Sequence, residues 1–312
     1  MIIRNNVPIY DICWLNHAKG GIIGAYYEPE NKEELVKLCR SLYNERKNFD
    51  VIGHTSNIYF LPSYSVDIMI STRKVKNLEV QEDFIIADCG VPVSSLARQM
   101  VNDGIMGFEG LIDLPGTVAA SVYGNASCYG CSINALLESF ELLRYDGKIA
   151  VLKIEDLKLS HRTSSLKCGE LQGVIISVKL RKKQGDVNLL KQQAEKIHQT
   201  RKLSQPGPKD NLGSIYYSTG SWKVYSYIPR FIVRCYSLFL KILGNTTEKR
   251  MQKNKKLFFS ILGITELLPY VHDWNRYIWK DEKSHELFWE YHKIHQKLFK
   301  NSKFEIVIKG LT

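Results

Sequence analysis

One stretch limits the architectures open to this chain: Gly107-Phe-Glu-Gly-Leu-Ile-Asp-Leu-Pro115-Gly116-Thr117-Val118-Ala-Ala-Ser-Val-Tyr123-Gly-Asn125-Ala126-Ser-Cys-Tyr129-Gly130. Pro115 presets one backbone angle and Gly116 admits a turn closed to other residues, so successive main-chain N–H groups can point one way, at a phosphate. Thr117 adds a hydroxyl. Ala119, Ala120, Ser121, Gly124 and Ala126 let a backbone and a flat ligand approach with no side chain between them. The same residues also describe an ordinary Pro-Gly turn followed by tight packing, so the stretch alone leaves both readings open.

At 312 residues, 44% of them hydrophobic, the chain is long for one core, and two or three lobes are expected. Residues 1–10 lack an apolar signal region, and no run reaches the roughly 18 apolar residues of a membrane span, so the cytoplasm is the expected location. Seven scattered cysteines, an odd number, argue for reduced thiols over a disulfide framework. The net charge of +11 suits a phosphate-rich ligand such as a dinucleotide or a nucleotide sugar, and equally nucleic acid or anionic lipid. Nucleic acid is the weaker choice, because the basic residues are dispersed and no zinc-finger or RNP-like spacing is present.

Residues 16–30 predict a strand after a Gly-rich entry, and Asn31 with Glu34 predicts a capping box opening a helix that buries Leu35, Leu38, Cys39 and Leu42. Asp50-Val-Ile-Gly53-His54-Thr55-Ser56-Asn57-Ile58 predicts a strand, a polar turn and a second strand. Residues 66–71, 78–80 and 84–88 read as short strands and residues 94–102 as a helix. Asp146-Gly147 predicts a hairpin closed by a two-residue primed turn. Residues 173–180, with Ile175, read as a buried strand, and residues 187–202 as a polar helix ending before Ser204-Gln205-Pro206-Gly207-Pro208, the expected domain boundary. A strand-rich plan without a Gly-x-Gly-x-x-Gly or Walker motif disfavours Rossmann and P-loop sites.

Residues 222–244 are expected to form a helix covering the core of its lobe, although their apolar groups and Lys223, Arg230, Arg234 and Lys241 also suit an interfacial helix on anionic lipid. A basic turn is expected at 244–256. Ser284 is expected to cap a last helix with Leu287, Phe288, Tyr291, Ile294 and Leu298 buried. Cys128 and Cys131 form a Cys-x-x-Cys that suits a redox pair or a covalent tether better than zinc, since no second pair exists. His285, His292 and His295 lack the spacing of a metal helix, so no metal is expected.

Taken together, Pro115-Gly116-Thr117-Val118, Val122-Tyr123, Asn125-Ala126 and Tyr129-Gly130 resemble the flavin-binding core of the UDP-N-acetylenolpyruvoylglucosamine reductases, the MurB-type family. The family motif runs approximately Gly-Ile-Pro-Gly-Thr-Val-Gly-Gly-Ala-Val-x-Met-Asn-Ala-Gly-Ala-Tyr-Gly; here Asp113-Leu114 replace Gly-Ile, Ala119-Ala120 the glycine pair, and Ser127 a glycine. Gly53-His54-Thr55-Ser56-Asn57 matches the family's Gly-x-Gly-Ser-Asn phosphate loop, with Thr55 in place of the second glycine.

The resemblance implies an α+β fold, a two-lobed FAD-binding fold of the vanillyl-alcohol-oxidase (PCMH) type followed by a smaller α+β substrate domain. Its expected divisions are 1–72 and 73–203 for the two FAD-binding subdomains and 204–312 for the C-terminal domain. It assigns FAD to Gly53, His54, Thr55, Ser56, Asn57, Pro115, Gly116, Thr117, Val118, Asn125, Ala126, Tyr129, Gly130 and Ile175. His161-Arg162-Thr163-Ser164 lines up with the family's Tyr-Arg-Asp-Ser segment and puts Arg162 on its catalytic arginine. Gly213-Ser214 puts Ser214 on its proton-donating serine, but Tyr217-Ser218-Thr219 stands where the family has Lys-Asn-Pro. Asn275 matches a His-Ala-Asn-Phe segment, and Glu305, with Gly310, the terminal Glu-Val-x-x-x-Gly. Arg162, Tyr217 and Asn275 are the expected substrate contacts.

The implied activity is an NADPH-fed, FAD-dependent reduction of an enolpyruvyl sugar nucleotide in cell-wall precursor synthesis. The lost Lys-Asn-Pro and the unusual 220–260 region keep two others open: a flavin oxidoreductase acting on another sugar or glycan precursor, and a non-catalytic flavin-binding scaffold.

Overall fold

The computed structural model describes residues 1–207, 209–217 and 220–311; Pro208 of the expected linker, and Ser218 and Thr219 of the segment replacing Lys-Asn-Pro, lie outside them. Contacts divide the chain into two units, one of residues 1–14, 19–205 and 308–312 and one of residues 15–18 and 206–307.

The first unit holds two main sheets. In the first, β1 (Ile2–Pro8) pairs antiparallel with β2 (Ile22–Glu28), α1 (Lys32–Asn44) returns the chain, and β3 (Asp50–Ile52), β4 (Ile58–Phe60) and β5 (Val66–Ser71) follow. The sheet order is β1-β2-β5-β3, with β5 parallel to both neighbours, while β4 stands outside it. The second sheet begins with β6 (Leu78–Val80) and β7 (Phe84–Asp88). The chain then leaves through α2 (Val93–Asn102), α3 (Val118–Tyr123), the small hairpin β8 (Ser127–Cys128) and β9 (Cys131–Ser132), and α4 (Ile133–Leu136). It returns as β10 (Leu137–Leu143), β11 (Ile149–Lys153) and β12 (Val174–Arg181), giving the antiparallel order β11-β10-β12-β7-β6, and closes with α5 (Val187–Ser204).

The side chain of Asn31 caps α1 by accepting from Glu34 N at 2.9 Å, as its sequence position requires. The expected capping box is shifted by one residue, because the Glu34 carboxylate accepts from Glu30 N rather than from Asn31 N. Leu35, Leu38, Cys39 and Leu42 are buried with Ile68 and Ile70 of the first sheet and Val174 and Ile176 of the second. One apolar helix face thus joins the two sheets. At about 1.5–3 kcal/mol per buried aliphatic side chain this face is a main source of their cohesion.

The β10–β11 hairpin is not closed by a two-residue primed turn. Arg144 N donates to Lys148 O and Gly147 N to Arg144 O, with Gly147 at φ +76, which is a three-residue loop with the glycine in the left-handed position. Arg144 and Lys148 remain paired, so the register takes one more loop residue than the Asp-Gly signal implied.

The second unit contains α6 (Tyr227–Ile242), α7 (Thr247–Ile261), the hairpin β13 (Val271–Asp273) and β14 (Arg276–Tyr277), and α8 (Lys283–Leu298). Two expectations fail here. The basic segment 244–256 is not a turn: Thr246 caps α7 through Lys249 N, and Phe258 and Phe259 anchor the helix. Nor does α6 cover the lobe's core, since only Pro229 and Leu240 of it are buried. In α8 the cap falls to Asp281, whose carboxylate accepts from Ser284 N at 2.9 Å, and the buried face includes His285 and His295 while Ile294 is half-buried. The final β15 (Val307–Lys309) pairs with β4, and Lys309 O accepts from Leu61 N at 3.0 Å.

Candidate active site

Two loops of the first unit meet. Gly53, Thr55, Ser56 and Asn57 leave β3, and Pro115, Gly116 and Thr117 lead into α3. A Cβ on Gly53 would stand 2.7 Å from Thr117 Oγ1, so only glycine allows this approach. Gly116 has φ +125, a conformation suited to glycine, and a Cβ there would lie 3.5 Å from Ser56 Oγ. Thr117 caps α3, its hydroxyl accepting from Ala120 N at 3.4 Å. Gly116 O and Val118 N bond to Val93 and Val91, fixing the loop beside α2. Among the described residues, the main-chain N–H groups of His54, Ser56, Gly116 and Thr117 have no protein acceptor. Two glycine-bearing loops in close approach with spare N–H donors fit the pyrophosphate of a dinucleotide.

Thr55 departs from the family's glycine yet keeps a glycine-like backbone, with φ +56. It is buried, and its hydroxyl accepts from Trp14 N at 2.7 Å, a bond glycine lacks. Arg73, not singled out in the sequence, donates Nε to Gly53 O at 3.0 Å and Nη2 to Ile12 O. Burial, and then this arginine, push the His54 imidazole below its usual value, so His54 is neutral at neutral pH and offers the loop a dipole rather than a charge.

Past α3, Asn125 stands at φ +47 and donates its amide to Ser160 O at 2.7 Å. Ser160 and Thr163 exchange N–H···O bonds of 3.2 and 3.1 Å, closing a tight turn that carries His161 and Arg162, the latter at φ +56. Lys167 Nζ donates to Arg162 O at 3.2 Å, and Ser164 Oγ to Tyr123 O at 2.6 Å. The cradle and the Arg162 turn are therefore one hydrogen-bonded assembly. Asn134, buried beneath it, donates to Asn125 Oδ1 at 3.1 Å and to Val122 O at 3.3 Å. Nothing local in the sequence distinguishes that asparagine.

Ala126 is half-buried, while Tyr129 and Gly130 are exposed at the tip of the β8–β9 hairpin, both at positive φ. Cys128 and Cys131 face each other across that hairpin as free thiols. Burial raises both thiols above their usual value, although Arg201 beside Cys128 opposes the shift. Ile175 lies in the apolar core with Val118, Val122 and Phe140. Asp113, the replacement for the family's glycine, binds Arg98 and accepts or shares a hydrogen with His198 Nδ1 at 2.8 Å, tying the loop to α2 and α5.

The second unit gathers its own residues. Glu305 N donates to Ile215 O at 2.8 Å, and Ile215 N to Asn275 O at 2.9 Å. Asn275 also brackets Tyr216, accepting from its N–H at 2.7 Å and donating to its carbonyl at 3.1 Å. The segment of Ser214 thus lies between Asn275 and Glu305, three positions far apart in sequence. Gly213, at φ +77, turns the chain into Ser214. Tyr217 N donates to Lys303 O, and Lys303 Nζ stands 5.5 Å from the centre of the Tyr217 ring, placing a cation beside Tyr217. Among the described residues no group of three or more His, Cys, Asp or Glu side chains is arranged to hold a metal.

The chain is similar to known proteins. The family described as FAD binding domain matches residues 23–153. The UDP-N-acetylenolpyruvoylglucosamine reductase of Streptococcus pneumoniae (strain JJA) is 30% identical over 214 residues, 69% of this chain and 70% of that protein. The enzyme of the same name from strain Hungary19A-6 is 29% identical over the same shares. The crystal structure of UDP-N-acetylenolpyruvylglucosamine reductase (MurB) from Thermus caldophilus superposes with a TM-score of 0.69 over 99% of this chain and 100% of that one; at 18% identity it shows the fold.

Proposed function

The chain belongs to the UDP-N-acetylenolpyruvoylglucosamine reductase family, and from that premise we propose that it reduces UDP-N-acetylglucosamine enolpyruvate to UDP-N-acetylmuramate for peptidoglycan synthesis. It is an FAD-dependent oxidoreductase whose substrates are small molecules, a nucleotide sugar and NADPH. FAD, when bound, would supply the two-electron hydride chemistry that links NADPH to the enolpyruvyl β-carbon.

The loops of Gly53, His54, Thr55, Ser56 and Asn57 and of Pro115, Gly116, Thr117 and Val118 would hold the pyrophosphate, with Asn125, Ala126, Tyr129, Gly130 and Ile175 completing the flavin's surroundings. Arg162 binds the substrate carboxylate, where negative charge grows as hydride arrives, and stabilises it electrostatically. Glu305 supports the same enol charge as its acid form or through a water. Ser214 gives its hydroxyl proton to the α-carbon as general acid. Asn275 and Tyr217 border the sugar nucleotide. The cytoplasm is the proposed location, with which seven free cysteines agree; among the described residues no helix is long and apolar enough to cross a membrane.

The observation that carries this reading is the convergence in the second unit, Glu305 N on Ile215 O at 2.8 Å beside Ser214. The test is the visible spectrum of freshly purified protein before and after anaerobic NADPH, then with UDP-N-acetylglucosamine enolpyruvate added. A flavin spectrum that bleaches and is restored by that substrate is the expected result. Bleaching without restoration overturns the substrate and leaves another sugar precursor. A colourless protein that takes up no FAD overturns the enzyme.

A further inference from the structure

In the second unit, α6 presents an apolar stripe that no described residue covers. Ile228, Phe231, Ile232, Leu238, Phe239 and Ile242 recur at three- and four-residue steps and so share one face. Ile228 is 74% exposed, Phe231 68%, Leu238 63% and Ile242 83%. Side chains of this size are exposed singly on ordinary surfaces, but a continuous stripe along a whole helix marks a surface that something else covers.

The charges beside the stripe indicate what that is. Arg230, Arg234 and Lys241 lie along one border of it, spaced four and seven residues apart, and exposed Lys249, Lys253 and Lys256 follow on α7. Between residues 222 and 256 there are nine lysines and arginines against one acid, Glu248. A second copy of this chain docked by a two-fold axis would set these cations against themselves, which electrostatics opposes. An anionic surface is their complement. At 1.5 Å rise per residue the sixteen residues of α6 span about 24 Å, less than the roughly 30 Å hydrocarbon core, so the helix suits lying along a bilayer rather than crossing it.

We propose that the exposed face of α6 docks the protein on an anionic lipid bilayer, the apolar stripe entering the acyl boundary and Arg230, Arg234, Lys241 and the α7 lysines meeting headgroup phosphates. Tyr225 and Tyr227, both exposed at the start of the helix, have the amphipathic rings that settle at a membrane–water boundary. The inference stands on the second unit's surface and does not depend on which substrate is reduced.

The test is flotation of the full chain with vesicles of phosphatidylcholine containing one third phosphatidylglycerol, and with phosphatidylcholine alone. The expected result is flotation with the anionic vesicles, weakened at least about tenfold by high salt or by omitting the anionic lipid. Ile228→Glu with Phe231→Glu, and separately Leu238→Glu with Ile242→Glu, abolish flotation while preserving the thermal transition and any flavin spectrum. Arg234→Glu with Lys241→Glu leaves the stripe intact and weakens binding, so the charge contribution is read even where an apolar variant folds poorly. A parent protein that stays unbound with anionic vesicles overturns the proposal, as do apolar variants that float like the parent. A dimer that these variants dissolve, with no vesicle binding, assigns the stripe to a second copy instead.

Discussion

Asn125 donates its side-chain amide to Ser160 O at 2.7 Å, so the stretch assigned to the flavin and the turn that carries Arg162 are latched together. The latch adds to the Lys167 bond to Arg162 O and the Ser164 bond to Tyr123 O, and Arg162 sits in the left-handed region, a conformation held only when its surroundings over-determine it. Asn125→Ala removes the latch and leaves Asn134 without its amide partner, a loss of about 1–3 kcal/mol. Flavin reoxidation by substrate should slow roughly ten- to a hundredfold while reduction by NADPH changes little. Stopped-flow measurement of the two half-reactions checks this, and equal losses in both would refute a role specific to Arg162.

Ser214→Ala should separate the half-reactions more sharply. Removing the proposed proton donor should leave bleaching by NADPH nearly intact and slow reoxidation by about 10²–10⁴-fold, the range of general acid catalysis. Equal slowing of both steps removes that role from Ser214.

Gly53→Ala forces a methyl to within 2.7 Å of Thr117 Oγ1, and Gly116→Ala places a Cβ at φ +125. Each change should cost about 1–3 kcal/mol of strain or displacement and weaken FAD binding by roughly ten- to a hundredfold, read as the FAD concentration needed to restore the flavin spectrum. Full FAD retention in both variants would remove the cradle assignment.

Thr55 is strained at φ +56 but bonded to Trp14 N. Thr55→Ala keeps the strain and loses the bond, so it should lower stability by about 1–2 kcal/mol. Thr55→Gly loses the same bond but relieves the strain, and should fall short of that loss by about 1 kcal/mol. Thermal unfolding of the pair checks the order; an alanine variant more stable than the glycine variant contradicts it.

His295 is fully buried and stacked on Tyr216 with ring centroids 3.7 Å apart. Burial, with His292 nearby, holds its imidazole down at about 3 from the usual 6.5. Because the folded pKa lies below the unfolded one, the unfolded chain binds a proton that the folded chain refuses as the pH falls below 6.5. Stability is thus complete above 6.5 and declines with acid, by at most about 1.4 kcal/mol per pH unit from this group. His295→Gln should flatten that decline in denaturant titrations between neutral pH and about pH 5. An unchanged slope assigns it elsewhere.

The elements read most easily were those encoded in short windows. Asn31 starts α1 through its own side chain, the apolar runs of the second sheet pair as strands, and Pro115-Gly116-Thr117 makes the turn its residues require. Where a local signal competed with its neighbours it misled. Asp146-Gly147 suggested a two-residue loop, yet the pairing of Arg144 with Lys148 imposed three. The lysines of 249–256 suggested a turn, yet Thr246 at one end and buried Phe258 and Phe259 at the other make that segment a helix.

What the sequence determined by itself is the chemistry available at each loop: glycines where φ is positive, hydroxyls and amides beside them, and the likeness those residues bear to one reductase family. Tertiary structure alone decided which of them meet. Gly53 reaches Thr117, Asn134 supports Asn125, Arg73 holds Gly53 O, and Lys303 comes to Tyr217, all across sequence separations that no local pattern spans. It also decided that α6 keeps its apolar face outward. A helix's own periodicity fixes which residues share a face, but whether that face is buried depends on what packs against it, and that is a property of the whole fold.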